Sequence, residues 1–176
     1  MRIRRIPILA AAALLLGAAG AAAQALRADA YTRLVAMADA FRDRLDSSYK
    51  ALTDGDEGDV KDKISVTEET KFVGFDGYKN VIPLVDVVII ATPPGFRPLH
   101  FEEAVKQGKH VFMEKPLATD PAGVKKVLEV AEIAKRKKLN VVVGLQRHYQ
   151  TSYRELYKRV KDGMIGDITS GQVYWN

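Results

Sequence analysis

The chain has 176 residues, 47% of them hydrophobic and 28% charged, which is enough for one domain with a full core and short for two. Three of its 27 Lys+Arg are Arg2, Arg4 and Arg5, which leaves 24 against 22 Asp+Glu in residues 26–176, too even a balance to argue for a nucleic-acid partner. The absence of cysteine excludes disulfides, thiolate metal sites and cysteine nucleophiles.

The first 25 residues admit two readings. Met1 to Arg5 is basic, Ile6 to Gly20 is apolar, and Ala21-Ala22-Ala23-Gln24-Ala25 offers small-residue cleavage positions, the layout of a secretory signal peptide. The apolar stretch is too short for a stable membrane span, so this reading implies export to the periplasm rather than anchoring. The Arg4-Arg5 pair points toward twin-arginine export, but the residues after it fit that pattern poorly. In the second reading, Gly17 and Gly20 followed by Ala21 to Leu26 are the remains of a phosphate-binding turn running into a helix. Taken alone, the segment matches the signal-peptide template better.

From residue 26 the chain alternates between strand and helix patterns. Arg33 to Asp39 reads as a strand ending in an acid, and Phe41, Leu45 and Tyr49 repeat at i, i+4 and i+8 in a helix over Phe41 to Leu52. Asp54 to Lys63 is an acidic, solvated loop. It is not a calcium loop, because Asp59 stands where that loop needs glycine and Ser65 where it needs glutamate. Lys71 to Phe75 reads as a short strand and Gly77 to Leu84 as the start of a helix turn. Asp86 to Thr92 is a continuous β-branched run stopped by Pro93-Pro94-Gly95, the pattern of a strand buried on both faces.

Phe101 to Gly108 reads as a helix closed by glycine, followed by a strand over His110 to Met113. Asp120 as N-cap and Pro121 at the first position open the next helix, with Val124, Val127, Leu128, Ala131 and Ala134 at helical spacing. Lys135-Arg136-Lys137-Lys138 falls at its end, where cations complement the helix dipole. Asn140 to Leu145 is a further apolar strand, Ser152 to Asp162 a helix, and Ile168 to Trp175 alternates as a strand.

This order implies a parallel sheet with helices on both faces, a doubly wound, Rossmann-like α/β domain. Ligands of such sheets lie at the carboxyl ends of the strands. Lys115, in Glu114-Lys115-Pro116 where a proline stops a buried strand, is therefore a candidate for chemistry. His100, His110 and His148 lack metal-ligand spacing and read as structural, and no metal site is expected.

Three segments together carry a resemblance: Asp86-Val-Val-Ile-Ile-Ala-Thr-Pro-Pro94, His110-Val-Phe-Met-Glu-Lys-Pro116 and Val141-Val-Val-Gly-Leu-Gln-Arg147. In their order and spacing the chain resembles the Gfo/Idh/MocA oxidoreductases, the relatives of glucose–fructose oxidoreductase and inositol dehydrogenase. The likeness covers about residues 20–176, roughly the amino-terminal half of such an enzyme. It implies an NAD(P)-binding domain at 26–166, after a leader-like or degraded first strand at 1–25. Residues 167–176 then begin an α+β substrate domain before which the chain is truncated.

The resemblance also implies hydride transfer on a sugar, polyol or related compound, with Lys115 assisting proton transfer at the substrate oxygen. A partly desolvated lysine suits that task, since burial lowers its pKa. By the same resemblance Glu114 fixes the lysine and contacts the cofactor ribose, and Thr92 and Pro93 line the nicotinamide side. Arg147 sits beside the substrate pocket or the cofactor. Asp39, ending a strand 19 residues after Gly20, binds the adenosine ribose hydroxyls and favours NAD over NADP, although Arg42 and Arg44 nearby keep NADP open.

Two departures stand against full activity. Leu14-Leu15-Leu16 stands where a phosphate turn needs small residues, with only Gly17 and Gly20 remaining of G-x-G-x-x-G. The family's histidine partner for the lysine belongs to the substrate domain. The expected outcome is an impaired oxidoreductase. The alternatives are an exported, non-catalytic α/β binding domain and a truncated or frame-shifted reading of an ordinary enzyme gene. Family membership places the protein in the cytoplasm, the leader outside it.

Overall fold

The computed structural model describes residues 9–14, as backbone, and 19–174. In chain order the elements are β1 (Leu9–Leu14), α1 (Ala19–Ala28), β2 (Thr32–Asp39), α2 (Arg42–Thr53), β3 (Lys71–Val73), α3 (Gly77–Val81) and β4 (Val87–Ile90). They continue with α4 (Arg97–Lys106), β5 (His110–Met113), α5 (Pro121–Arg136), β6 (Val141–Val143), α6 (Gln146–Tyr149) and α7 (Thr151–Lys161). The residues up to Gly144 form one compact unit, and those from Leu145 onward a second.

In the first unit the strands pair in the order β3-β2-β1-β4-β5-β6, every pairing parallel. The order runs outward from β1 in both directions, the doubly wound arrangement the alternating pattern predicts. The inner strand β4 is a short continuous apolar run because both its faces are covered. Val88 and Ile90 join one core cluster with Val81, Phe101, Val127 and Val130, while Ile89 joins the opposite one with Leu26, Leu45 and Leu52. That is the period-two alternation of a pleated strand. On β2 the alternation is broken by a register shift: Leu34 pairs with Ala11 and Ala36 with Ala12, leaving Val35 over. The bulge lets Leu34 and Met37 face one core and Ala36 and Ala38 the other.

The segment read first as a signal peptide supplies, in this structure, the central strand β1 and the helix α1. Ala22, Ala23 and Leu26 of α1 are buried in the core, and the phosphate turn expected before it lies mostly outside the described residues. Small residues suit a leader and a closely packed helix equally well, so composition alone does not separate the two readings. Gly17 lies outside the described residues. No helix among the described residues is long and apolar enough to cross a membrane.

Two further expectations need correction. The helix expected from Phe101 begins at Arg97, because Pro98 falls in its first turn, where no intrahelical N–H is required. Its end is as expected: Gly108, at φ 74°, donates to Val105 O and turns the chain into β5. The alternating run from Ile168 forms no strand as far as Tyr174. Those residues are exposed and unpaired among the described residues, and Trp175 lies outside them. An isolated strand has nothing to satisfy its backbone groups, so alternation without a partner does not suffice.

Candidate functional site

The carboxyl ends of β2, β4, β5 and β6 carry the candidate residues. Asp39 ends β2 and is only 4% exposed. Its Oδ1 accepts from the N–H of Phe41 at 2.9 Å, closing an Asx-type turn into α2. Its Oδ2 is buried and has no hydrogen-bond partner among the described residues. Burial pushes this carboxyl above its usual range, and the N–H groups of Phe41 and Ala40 and the charge of Arg44 only partly oppose it. An ionised carboxylate oxygen in that position calls for a donor beyond the described residues. A cleft opens beside it, lined by Phe41, Phe75, Tyr78, Thr92, Pro93 and Phe96.

Arg42 and Arg44, which kept a phosphate partner open, are differently committed. Arg42 donates to Asp46 at 3.0 Å and to Glu68 at 2.6 Å, whereas Arg44 has only a long ion pair to Asp43 at 4.0 Å. The cation nearer in sequence to Asp39 is thus already neutralised.

Across the cleft, Thr92 follows β4. Its hydroxyl is hydrogen-bonded to His100 Nδ1 at 3.0 Å. His100 is 6% exposed and packed on the Tyr78 ring at 4.4 Å between centroids. Burial lowers its pKa from 6.5 to about 4, so the imidazole is neutral at pH 7. The histidine expected to be structural therefore orients a candidate cofactor-lining threonine.

Glu114 leaves β5 with its N–H donating to Ile90 O at 2.9 Å, and Gly144 donates to Met113 O at 2.8 Å. The Glu114 carboxylate lies against Gly144 so closely that a Cβ there would stand 2.7 Å from Oε2. Any larger residue at 144 has to displace that side chain. The Lys115–Pro116 peptide is cis. Lys115 and Pro116 are exposed, which corrects the expected partial desolvation of the lysine. No hydrogen bond or ion pair joins Lys115 to Glu114 among the described residues.

Gly20 is the second residue of α1, on whose amino-terminal end a phosphate turn would open. Arg147 belongs to the second unit, where it donates to the Tyr153 hydroxyl at 2.7 Å. No cluster of three or more metal-ligating side chains occurs among the described residues.

Sequence reasoning passed over Arg97 altogether. This side chain is 5% exposed. Its Nε donates to Thr92 O at 2.6 Å, and its Nη1 to Glu114 O at 2.7 Å and to Pro116 O. Its signal was an arginine beside a proline at a helix start, where a cation opposes the dipole.

A doubly wound parallel sheet with an acid closing β2 defines a dinucleotide-binding domain. Comparison with known proteins carries this further. The sequence profile of the oxidoreductase family with the NAD-binding Rossmann fold matches residues 17–145, and the chain belongs to this Gfo/Idh/MocA family. It is 37% identical over 86 residues to an inositol 2-dehydrogenase from Gluconacetobacter diazotrophicus, covering 49% of this chain and 25% of that protein. It is 29% identical over 146 residues to an inositol 2-dehydrogenase from Rhizobium meliloti, covering 83% of this chain and 38% of that one. A scyllo-inositol dehydrogenase from Lactobacillus casei, solved with NAD(H) and scyllo-inositol, has the same fold. It superposes with a TM-score of 0.67 at 24% identity, over 92% of this chain and 43% of that one. The chain thus spans well under half the length of these relatives.

Proposed function

We propose that the chain is the cofactor-binding part of an NAD-dependent oxidoreductase that transfers hydride to or from an inositol-like polyol or related sugar. The observation that carries this reading is Asp39 Oδ2, a buried carboxylate oxygen at the end of β2 that lacks a donor among the described residues. The adenosine ribose hydroxyls of a dinucleotide fit that need better than a 2′-phosphate, which would meet a carboxylate while Arg42 is held by Asp46 and Glu68 and only Arg44 stays loosely paired. NAD is therefore the preferred cofactor, with NADP the weaker possibility. Gly20 and Gly17 would lie under the pyrophosphate.

When bound, the nicotinamide supplies or accepts the hydride. Thr92, held by His100, and Pro93 bound its side of the cleft. Lys115, exposed at the end of β5, gives a proton to a carbonyl oxygen in reduction or takes one from a hydroxyl in oxidation. Glu114, its carboxylate against Gly144, contacts the cofactor ribose. Arg147 is assigned to the substrate side by family resemblance alone. Family membership leaves the non-catalytic reading without support, and α1 packs into the core of the domain.

Titration with NADH, followed by its fluorescence, tests the reading. Saturable binding that Asp39→Ala weakens by about a hundredfold is expected, the scale of losing charge-assisted hydrogen bonds to two hydroxyls. Binding indifferent to Asp39 overturns it.

A further inference from the structure

Arg97 holds a position that three separate effects oppose. Its guanidinium is buried, it sits in the first turn of α4 where the helix dipole repels cations, and none of its hydrogen bonds goes to a carboxylate. Burial accordingly depresses its pKa, against the attraction of Glu114. What it gains is a set of three carbonyl acceptors from two strand ends. Thr92 O lies just past β4, and Glu114 O and Pro116 O lie on either side of Lys115. The chain leaves the sheet at both places, so these carbonyls have no ladder donor waiting for them. Only a planar fork of several N–H groups can serve them from one side chain; a lysine ammonium is a point donor on a flexible stem.

We propose that Arg97 is the positioning residue of the Glu114-Lys115-Pro116 turn, clamping the carbonyls on both sides of Lys115 to the end of β4 so that the lysine stands beside Thr92. It touches neither substrate nor cofactor in this role; it acts through the backbone of Lys115. The Gly144 notch that receives the Glu114 carboxylate supports the same turn from the β6 side. The functional half of the proposal rests on the assignment of Lys115 to the hydride-transfer site.

Two readouts on the 176-residue protein separate the proposal from that assignment. The first is hydrogen exchange by mass spectrometry on Arg97→Gln and Arg97→Lys. Amides of residues 115–119 exchange about tenfold faster in both variants while those of β2 keep their protection. Uniform acceleration throughout the sheet, or no change at 115–119, overturns the clamp. Arg97→Lys keeps the charge and decides the matter should Arg97→Gln not fold.

The second readout is the rate at which an amine-directed acylating reagent modifies Lys115, with and without saturating NADH. In the wild-type chain NADH slows that reaction about fivefold, and in both variants the protection falls below about twofold. Protection retained in full by the variants overturns the positioning role. An absence of protection in the wild-type chain, with NADH bound, overturns instead the placement of Lys115 at the cofactor, and the functional half of the proposal with it. The exchange result stands or falls independently.

Discussion

The end of β2 and the end of β5 solve opposite problems. At β2 the side chain is fixed and buried: Asp39 keeps one oxygen on the backbone of Phe41 and leaves the other without a partner among the described residues, beside a cleft. At β5 the backbone is fixed and the side chain is free: carbonyls on both sides of Lys115 are held by Arg97 while the lysine itself is exposed. The difference matches the roles proposed for the two ends. A recognition group for a constant part of a cofactor gains from burial, which strengthens its hydrogen bonds. A group that exchanges protons with a substrate needs freedom and an approach path.

This contrast can be broken by experiment. The largest effect should separate the two ends by cofactor affinity: Asp39→Ala costs about a hundredfold in NADH binding, Lys115→Met only about threefold. Equal losses would erase the distinction. The second effect is on pH. Burial raises the Asp39 pKa and hydroxyl donors require its ionised form, so NADH affinity falls about tenfold per unit as pH drops below that raised value. Titrations repeated in Asp39→Asn should lose this slope.

Stability should show smaller effects, of opposite sign at two neighbouring groups. His100 is depressed to about 4 from 6.5, so its contribution is fully present above pH 6.5 and is lost as pH falls toward 4. Asp39 is raised, so burying its charge costs stability as pH rises through its folded-state pKa, and Asp39→Asn should gain a few degrees in Tm at pH 7. Thermal melts between pH 4 and pH 7 of His100→Asn and Asp39→Asn decide both signs. The smallest effect belongs to Gly144→Ala. It displaces the flexible Glu114 carboxylate and should lower NADH affinity about twofold, with Tm little changed.

Much of the fold was legible because its strands announce themselves. Asp86 to Thr92 is a continuous β-branched run, and Asp120-Pro121 is an N-cap followed by a helix-opening proline, with the Asp120 carboxylate accepting from Gly123 as such caps do. Asp39 was legible from its distance to Gly20. Arg97 was not, because its three acceptors come from segments that only the finished sheet brings together. Nor was the bulge at Val35, which is a matter of register between strands rather than of pattern within one. Ile168 to Tyr174 misled because alternation describes a side-chain pattern, whereas a strand also requires a neighbour to bond.

The central place of β1 has a consequence for how the chain is made. Of the six strands in this sheet β1 is synthesised earliest, yet its two neighbours are β2 and β4, and β4 ends only at Ile90. During synthesis one edge of the earliest strand therefore waits, unpaired, for a segment that emerges much later. An Ala-rich strand is weakly adhesive toward wrong partners during that wait, so the same small side chains that resemble a leader also suit a nascent edge that must stay open until its proper neighbour arrives.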